Sequence, residues 1–258
     1  MKLDYKGIQI FYTSKGKGDA IILLHGFLEN SNMWNNLVTQ ICKTHLVVTI
    51  DLLGHGKTEC IGYIHTMEMM ADAVDAVVSK LKIKKAIFIG HSMGGYVALA
   101  YADIFAKKVE GLCLMNSTTL EDNFEKKQNR DRAILAVKHN HKTFIRVSIT
   151  NLFRPKNRIV FSKEIRLIIE EALLMPLQGI IAALEGMKIR KNRTHILNNS
   201  NFKKMIIIGK KDPVLDYNSL ISLSNSHNIE TVIVPDGHMS YLENKKEITY
   251  KILRFIEK

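Results

Sequence analysis

The sequence predicts an α/β fold in which a mostly parallel, eight-stranded sheet carries helices on both faces. Short apolar runs such as 20–24 alternate with segments in which apolar residues recur every three or four positions, a pattern typical of strands alternating with amphipathic helices. This alternation stops between residues 118 and 200, where only helical periods occur. It resumes at Lys204. We therefore expect a core formed by 1–117 and 201–258, with 118–200 inserted after the sixth strand as a helical cap.

The inner predicted strands are largely apolar, and 20–24 is continuously so, which is typical of strands buried on both faces. The eight predicted strands cover residues 3–5, 8–13, 20–24, 46–50, 86–89, 109–115, 204–209 and 231–234. The first two alternate polar and apolar residues around Gly7. This alternation predicts a hairpin at one edge of the sheet.

Five helices are predicted to pack on this sheet, four of them from an apolar face. The four faces comprise Trp34, Leu37, Val38 and Ile41; Met70, Val74, Val77 and Leu81; Val97, Ala100, Tyr101 and Ile104; and Ile248, Ile252, Phe255 and Ile256. A further helix is predicted over 217–225. Thr66 precedes the second helix and is suited to cap it, because its hydroxyl can accept a hydrogen bond from a free amide of the first turn.

The inserted stretch is predicted to form about four short helices. Their apolar periods run through Ile134 and Leu135, through Phe144, Ile145 and Ile149, through Ile165, Ile168, Ile169 and Ala172, and through Ile180, Ile181, Leu184 and Met187. Pro155 and Pro176 interrupt these periods, and Ser162 is predicted to be an N-cap.

The net charge of the chain is +12, and it is distributed unevenly along the sequence. Residues 117–201 hold 16 Lys and Arg against 8 Asp and Glu, a net +8, which leaves +4 for the remainder. The basic residues are scattered and are not interleaved with aromatic ones, so we expect no nucleic-acid partner. A basic insert favours an anionic substrate, but the same composition is also explained by Lys and Arg side chains that are simply exposed to solvent.

Other features of the composition are ordinary for a globular protein. No run approaches the ~18 apolar residues of a membrane span, and Asp4 and Lys6 stand where a signal peptide would be apolar. We therefore expect a cytoplasmic protein. Cys42, Cys60 and Cys113 show no metal-ligand spacing and no disulfide framework; we expect buried thiols, with a reactive one left open.

The fifth predicted strand leads directly into Gly90-His91-Ser92-Met93-Gly94 and then into a helix. G-x-S-x-G in this context predicts a nucleophile elbow, a sharp turn that exposes the serine hydroxyl at a helix N-terminus. Glycines on either side leave room for that turn. The motif alone is weak evidence for a catalytic serine, so further evidence must come from the rest of the chain.

Three further polar side chains follow predicted strands, and ligands of open parallel sheets bind at the carboxyl ends of the strands. They are His25, Asp212 and His238, and the order Ser92, Asp212, His238 is typical of a serine hydrolase built on such a sheet. The motifs HGF, DLLGHGKT, GHSMGG, GKKDPV and GHMSYLE occur in that order at strand ends. With them the sequence resembles the α/β-hydrolase superfamily, in its cap-bearing serine esterase form, over nearly the whole chain outside 118–200.

Serine is a poor nucleophile unless an imidazole takes its proton. We expect Ser92 to attack, His238 to act as the base and Asp212 to orient it, with Asp216 as the nearest alternative acid. The resemblance implies an oxyanion hole formed by the main-chain N–H groups of Phe27 and Met93. His25 and His91 are expected to hold loops by hydrogen bonds, as Asp51 and His55 are expected to brace a Gly-rich loop.

These expectations predict a carboxylesterase that cleaves a small-molecule ester through an acyl-enzyme and uses no metal or organic cofactor; a homodimer is left open. Serine in place of aspartate at the elbow argues against alkyl-enzyme chemistry. Alternatives are C–C hydrolase or lyase chemistry, resembling the menaquinone-pathway synthase, and a ligand-sensing receptor.

The residues of the insert that are predicted to line the pocket are Phe144, Ile149, Leu152, Leu173, Met175 and Leu177; the alternative is that they only pack within the helical layer. Arg130, Arg132, Arg146 and Arg154 are candidates for binding an acidic substrate.

Overall fold

A computed structural model of the protein describes residues 1–224 and 228–258. The eight strands form one sheet in the order β1-β2-β4-β3-β5-β6-β7-β8. They are β1 Lys2–Tyr5, β2 Ile8–Lys15, β3 Ala20–Leu24, β4 Leu46–Ile50, β5 Ala86–His91, β6 Val109–Met115, β7 Lys203–Gly209 and β8 Ile229–Val234. Strands β3 to β8 are parallel, and β2 runs antiparallel to both β1 and β4. The predicted fold class is confirmed.

Eleven α-helices are present in the described ranges. They are α1 Asn35–Ile41, α2 Met67–Lys80, α3 Met93–Ile104, α4 Phe124–Leu152, α5 Asn157–Val160, α6 Ser162–Ala172, α7 Leu177–Lys188, α8 Thr194–Asn199, α9 Tyr217–Ser224, α10 Ser240–Glu243 and α11 Lys245–Glu257. The predicted helix over 217–225 corresponds to α9, and its last residue, Asn225, lies outside the described residues.

Two hydrophobic layers cover the sheet, as the alternation of strands and helices predicts. One layer holds the inward faces of α2 and α3 together with residues of the inserted helices, and the other holds those of α1 and α11. The predicted inward position of Ile104 is wrong, because this last residue of α3 is exposed. Thr66 caps α2 as predicted, since its hydroxyl accepts a hydrogen bond of 3.1 Å from the amide of Met69.

Five helices, α4 to α8, follow β6 and precede β7; we refer to residues 118–200 as the helical insert. The first two predicted helices of this stretch are the halves of one long helix, α4, which is interrupted at Asn140 (φ −155°, ψ 86°). Ser162 is not an N-cap but the first residue of α6. The reason is that α5 runs almost directly into α6, so the preceding residue, Phe161, has no extended conformation (φ −98°, ψ 23°).

The helix α7 lies directly on the core. A Cβ atom on its Gly186 would overlap the carbonyl oxygen of His65, so only glycine permits this approach. The amide of His65 in turn donates a 2.9 Å hydrogen bond to the carbonyl of Ala182 in α7. Within the described ranges no single helix is long and apolar enough to cross a bilayer; α6 and α7 reach that length only together, across a bend of 102°.

Candidate active site

The turn from β5 into α3 is centred on Ser92. Its backbone adopts φ 49° and ψ −115°, a strained conformation for a residue with a side chain. A Cβ atom on Gly94 would overlap the carbonyl of Leu24, and one on Gly90 would overlap the backbone of Gly94. Both glycines are therefore required by the close packing of β3, β5 and α3, and the turn they allow presents the Ser92 side chain at the carboxyl end of the sheet.

Three polar side chains from three strand ends meet at this turn. The Nε2 atom of His238, which lies between β8 and α10, is 2.9 Å from Ser92 Oγ. The Nδ1 atom of the same ring donates a 2.8 Å hydrogen bond to Asp212 Oδ2. With Nδ1 donating, Nε2 of the neutral ring accepts the hydroxyl proton of Ser92. Asp216, the alternative acid, is exposed and instead accepts hydrogen bonds from Ser219.

The carboxylate of Asp212 is held in its ionised form. Burial by itself would raise its pKa, but His238 and the surrounding donors outweigh burial and lower the pKa below its ordinary value. The amides of Val214 and Leu215 donate hydrogen bonds of 2.8 and 3.0 Å to Oδ1, and the side chain of Asn116 donates one of 3.0 Å to Oδ2. The carboxylate is thus fixed in position and can orient the imidazole of His238.

Asn116 was missed by the sequence analysis. It follows β6 directly and has a positive φ of 47°. Besides Asp212, its side chain donates a 3.1 Å hydrogen bond to the carbonyl of Gly237 and accepts one from the hydroxyl of Ser240. The rule that identified the other groups, a polar residue at the carboxyl end of a parallel strand, applies to this residue as well.

The main-chain groups predicted for the oxyanion hole lie beside Ser92. Met93 is the first residue of α3, so its N–H has no acceptor within the helix. Phe27 borders the same cavity as Ser92 and His238. It belongs to a tight turn in which the amide of Glu29 donates to the carbonyl of Gly26 at 3.3 Å and Leu28 has a φ of 62°. The two amides remain the predicted donors to a developing negative charge.

A second histidine–carboxylate pair lies behind the first. His91 Nδ1 donates a 2.8 Å hydrogen bond to Glu29 Oε2, and His91 Nε2 donates one of 3.0 Å to the carbonyl of His238. Because both nitrogens donate, the ring of His91 is an imidazolium. Burial opposes this charge, but the Glu29 carboxylate and the two hydrogen bonds outweigh burial and raise the pKa of His91.

Glu29 completes this buried group. Burial opposes its charge too, but the neighbouring imidazolium outweighs burial and lowers the pKa of the carboxyl group. The carboxylate also accepts hydrogen bonds of 2.7 Å from the amide of Gly26 and 3.1 Å from the hydroxyl of Tyr241. Glu29 therefore ties the turn of Phe27 to the loop of His238, through His91. No motif in the sequence predicted this.

The remaining predicted bracing residues hold the neighbouring loops. His25 Nδ1 donates to the carbonyl of Gly26 at 2.8 Å, and its Nε2 accepts the amide of Leu52 at 2.9 Å. Burial lowers the pKa of His25, which agrees with this neutral tautomer. The carboxylate of Asp51 accepts the amides of Ser31 and Lys57, both at 2.8 Å.

Ser92 and His238 open into a cavity of about 110 Å³. The core side of the cavity is formed by Phe27, Tyr96 and Val214, and the insert side by Arg130, Ser148, Leu152 and Met187. Of the pocket residues predicted in the insert, only Leu152 borders this cavity. Ile149 and Met175 are buried in the hydrophobic core, Phe144 and Leu173 pack against it, and Leu177 is exposed.

Among the four candidate arginines, Arg130 alone borders the cavity. Arg132 and Arg146 are exposed, and Arg154 Nη1 lies 2.8 Å from Asp236 Oδ1. Ser148 and Leu152 are four residues apart, so they share one face of α4, a spacing that could have identified them. Across residues 1–224 and 228–258, no group of three or more His, Cys, Asp or Glu side chains could hold a metal ion.

The arrangement of sheet, elbow and acid–base side chains agrees with the comparison to known families. A family model described as the alpha/beta hydrolase fold matches residues 19–245. The chain belongs to this family. The family fold carries many different chemistries, so membership establishes the hydrolase fold and leaves the substrate to the site.

Solved structures of other α/β-hydrolases align over nearly the whole chain. A thermophilic esterase from Thermogutta terrifontis, determined with malate bound, is 27% identical, with a TM-score of 0.92 and coverage of 99% of this chain and 96% of that one. An enol-lactonase from Burkholderia xenovorans has the same TM-score of 0.92 at 19% identity and covers each chain completely. At that lower identity the likeness shows the fold alone.

Two curated relatives of more than 30% identity match 40% of this chain. A non-heme haloperoxidase from Rhodococcus erythropolis is 34% identical over 109 residues, which are 40% of this α/β-hydrolase and 40% of the relative. An uncharacterized protein from Mycobacterium tuberculosis is 33% identical over 102 residues, 40% of this chain and 30% of the relative. The matched part spans less than half of either relative, so their activities are not transferred here.

Proposed function

We propose that this α/β-hydrolase cleaves a carboxylic ester through an acyl-enzyme, as a carboxylesterase. The observation that carries the proposal is the hydrogen-bonded chain from Ser92 Oγ through His238 to Asp212 beside a cavity. The esterase with 27% identity over nearly the full length supports the same chemistry. We also propose that the helical insert acts as the cap of the site, because Arg130, Ser148, Leu152 and Met187 close the cavity from that side.

In the first half-reaction Ser92 Oγ attacks the carbonyl carbon of the ester, and His238 Nε2 takes the hydroxyl proton. The carbonyl oxygen becomes an oxyanion that accepts hydrogen bonds from the N–H groups of Phe27 and Met93. When the tetrahedral intermediate collapses, the bond to the alcohol oxygen breaks. His238 returns its proton to that oxygen, and the alcohol leaves while the acyl group stays on Ser92.

Water enters in the second half-reaction. His238 takes a proton from the water as its oxygen attacks the acyl carbon, and the same two N–H groups stabilise the second oxyanion. The bond to Ser92 Oγ then breaks, His238 gives the proton back to Ser92, and the carboxylic acid is released. Asp212 keeps its charge throughout, because its role is to orient the imidazole and stabilise the imidazolium.

The size of the cavity favours a short acyl chain. Its volume is about 110 Å³, and an apolar cavity of roughly 150 Å³ in another protein holds a single benzene molecule. We expect esters of about two to six acyl carbons to be cleaved faster than longer ones, since a longer chain would displace Leu152 or Met187.

The test is turnover of nitrophenyl esters from acetate to decanoate by the wild type and by Ser92→Ala. We expect a preference for short acyl chains and a loss of at least about 10⁴-fold in Ser92→Ala. Labelling with an organophosphonate, followed by mass spectrometry, should place the adduct on Ser92. Labelled Ser92 without turnover of any ester would instead indicate C–C bond cleavage, lyase chemistry or ligand sensing. Full activity of Ser92→Ala would contradict the mechanism.

A further inference from the structure

A buried group of two arginines and one aspartate lies at the insert side of the cavity. Arg190 Nη1 is 2.7 Å from Asp122 Oδ1, and Arg130 Nε donates a hydrogen bond to Asp122 Oδ2. The side chains of Asp122, Arg190 and Arg130 are 1, 3 and 20% exposed, respectively. Because two guanidinium groups share one carboxylate, the group carries one uncompensated positive charge, and such a charge is costly to bury without an anionic partner.

Arg190 is held by the protein through its Nε and Nη1 groups and through the face of its guanidinium group. Its Nε donates a 3.1 Å hydrogen bond to the carbonyl of Leu120, and its Nη1 donates one of 3.0 Å to the carbonyl of Met187. Its guanidinium group also stacks over the ring of Tyr96, at 4.2 Å from the ring centre. These contacts account for its burial as a structural residue.

Arg130 is engaged on one side only. Apart from Asp122, its recorded contact is a weak one from Nη1 to the sulfur atom of Met187, at 3.5 Å. No acceptor for its Nη2 group is recorded within residues 1–224 and 228–258. A guanidinium group offers five N–H donors in one plane, so Arg130 retains the donors with which arginine binds a carboxylate in a bidentate manner.

The position of Arg130 joins this group to the catalytic site. It borders the cavity that contains Ser92 and His238, and it also borders an adjoining cavity of about 220 Å³. Tyr96 and Val214 form walls of both.

The charges that face these cavities favour an anion. The adjoining cavity is lined by the cations Lys126, Arg130 and Arg190 and by one carboxylate, that of Asp122. Glu29, the carboxylate that borders the cavity of Ser92, is paired with the imidazolium of His91, and the side chain of Asp212 is fully buried and does not line the cavity. The pKa of the exposed Asp216 is lowered mainly by hydrogen bonds from Ser219 and, to a smaller extent, by the nearby Lys126.

We propose that Arg130 forms a subsite for a carboxylate group of the substrate, so that the preferred substrates are esters that carry a second, free carboxyl group. This inference rests on the proposed ester hydrolysis and adds its substrate class. In such a substrate the ester carbonyl lies at Ser92 while the carboxylate binds the free face of the guanidinium group. The pairing also supplies the missing negative charge to the buried group, which is why the binding is expected to be selective.

The experiment compares matched anionic and neutral esters by pH-stat titration. Monoethyl succinate and monoethyl glutarate place the charge on the acyl side, and acetyl esters of short hydroxy acids place it on the alcohol side. Their neutral counterparts are the corresponding diesters. We expect the wild type to favour one anionic series over its neutral counterparts by about 10- to 100-fold in kcat/KM, mainly through KM, as charge-assisted hydrogen bonds allow.

The matched variants are Arg130→Gln, Arg130→Lys and Arg132→Gln. We expect Arg130→Gln to abolish the preference, Arg130→Lys to retain part of it, and Arg132→Gln to keep the wild-type ratio because Arg132 is exposed on the same helix. The Asp122 carboxylate keeps its contact with Arg190 in both Arg130 variants. The ratio of two substrates is used because any loss of folded enzyme cancels from it.

Two outcomes would refute the subsite and leave the proposed function intact: no preference of the wild type for anionic esters, or an unchanged preference in Arg130→Gln. In both cases Ser92→Ala must still abolish the turnover of neutral esters. If no ester of any series is cleaved, the proposed function fails, and calorimetric titration of succinate and glutarate into Ser92→Ala decides the subsite separately. At least tenfold weaker binding on adding Arg130→Gln would support it, and equal binding would refute it.

Discussion

The core and the helical insert approach the cavity from opposite sides and are held in different ways. On the core side, Ser92, Asp212 and His238 follow strand ends, and main-chain hydrogen bonds fix the loops that carry them. On the insert side, the residues that line the cavity belong to the helices α4 and α7, and Arg130 is held by its ion pair with Asp122. In the proposed reaction, the core side supplies the reacting groups, and the insert side supplies walls of the cavity.

The insert is nevertheless fastened to the core along one edge. Arg193, just before α8, lies 2.6 Å from Glu68 of α2 and 3.2 Å from Asp103 of α3. Together with the close approach of Gly186 to His65, these contacts fix α7 and α8 against the sheet layer. The long helix α4 has its own buried ion pair, in which Asp122 is central. The two regions can therefore be perturbed separately.

The largest expected effect lies on the core side, at the acid of the hydrogen-bonded chain. Asp212→Asn should lower kcat/KM by about 10⁴-fold, because an amide no longer holds the histidine in its reactive tautomer. Asp216→Asn is the matched control and should stay within about threefold, since Asp216 is exposed and hydrogen-bonded to Ser219, whereas the hydrogen bond from His238 goes to Asp212. Steady-state kinetics with a short nitrophenyl ester measures both, and an equal loss in both variants would reject Asp212 as the acid.

The next effect lies in the insert and concerns stability. Asp122→Asn should lower the free energy of unfolding by about 3–5 kcal/mol, because the buried Arg190 and the partly buried Arg130 lose the carboxylate that they share. Asp131→Asn removes a largely exposed pair with Lys188 and should cost no more than about 1 kcal/mol. Urea titration of both proteins provides the measurement, and a small loss for Asp122→Asn would mean that the insert does not depend on this pair.

The buried pair of Glu29 and His91 connects stability to pH. The raised pKa of His91 adds stability that is fully present below about pH 6.5, the ordinary value for histidine, and is lost as the pH rises through the folded-state pKa. The lowered pKa of Glu29 adds stability that is present above about pH 4.3 and is lost as the pH falls through its folded-state value. The pair therefore stabilises most strongly between these two limits.

Glu29→Gln should accordingly cost about 3 kcal/mol near pH 6 and less as the pH rises through the folded-state pKa of His91, where the wild type loses the same contribution. In the variant, burial without a carboxylate lowers the pKa of His91, so its stability should increase with pH up to about pH 6.5, the ordinary value for histidine, and then level off. Glu170→Gln, at an exposed position of α6, should remain within about 0.5 kcal/mol. Urea titrations at several pH values test this, and a pH-independent difference would be inconsistent with a charged His91.

The smallest effects distinguish the two predicted helix caps. Thr66→Ala should destabilise the protein by about 1 kcal/mol, because the amide of Met69 loses its acceptor. Ser162→Ala should change stability by less than about 0.5 kcal/mol, since its side chain makes no capping hydrogen bond. Thermal unfolding of the two variants under identical conditions provides the comparison; similar losses would show that Ser162 caps after all.

The sequence was most informative where structure is repetitive or local. Apolar runs predicted the six parallel strands, with ends displaced by a few residues, because strands buried on both faces require largely apolar sequence. Polar–apolar alternation predicted the two antiparallel strands at the edge. Thr66 was found from a local capping rule. Ser162 fits the same rule, but the prediction that it is an N-cap was wrong. The rule assumes that the chain is extended before the helix, whereas α5 runs almost directly into α6.

By itself, the sequence determined the sheet, the turn at Ser92 and the strand ends that carry Asp212 and His238. Such features depend on short-range periodicity and on the rule that parallel strands bring their carboxyl ends to one edge. Only the tertiary structure decided that Glu29 pairs with His91, 62 positions along the chain, or that Arg130 rather than Arg154 borders the cavity. Contacts of this kind depend on how whole helices pack, and no periodicity within a single segment records that packing.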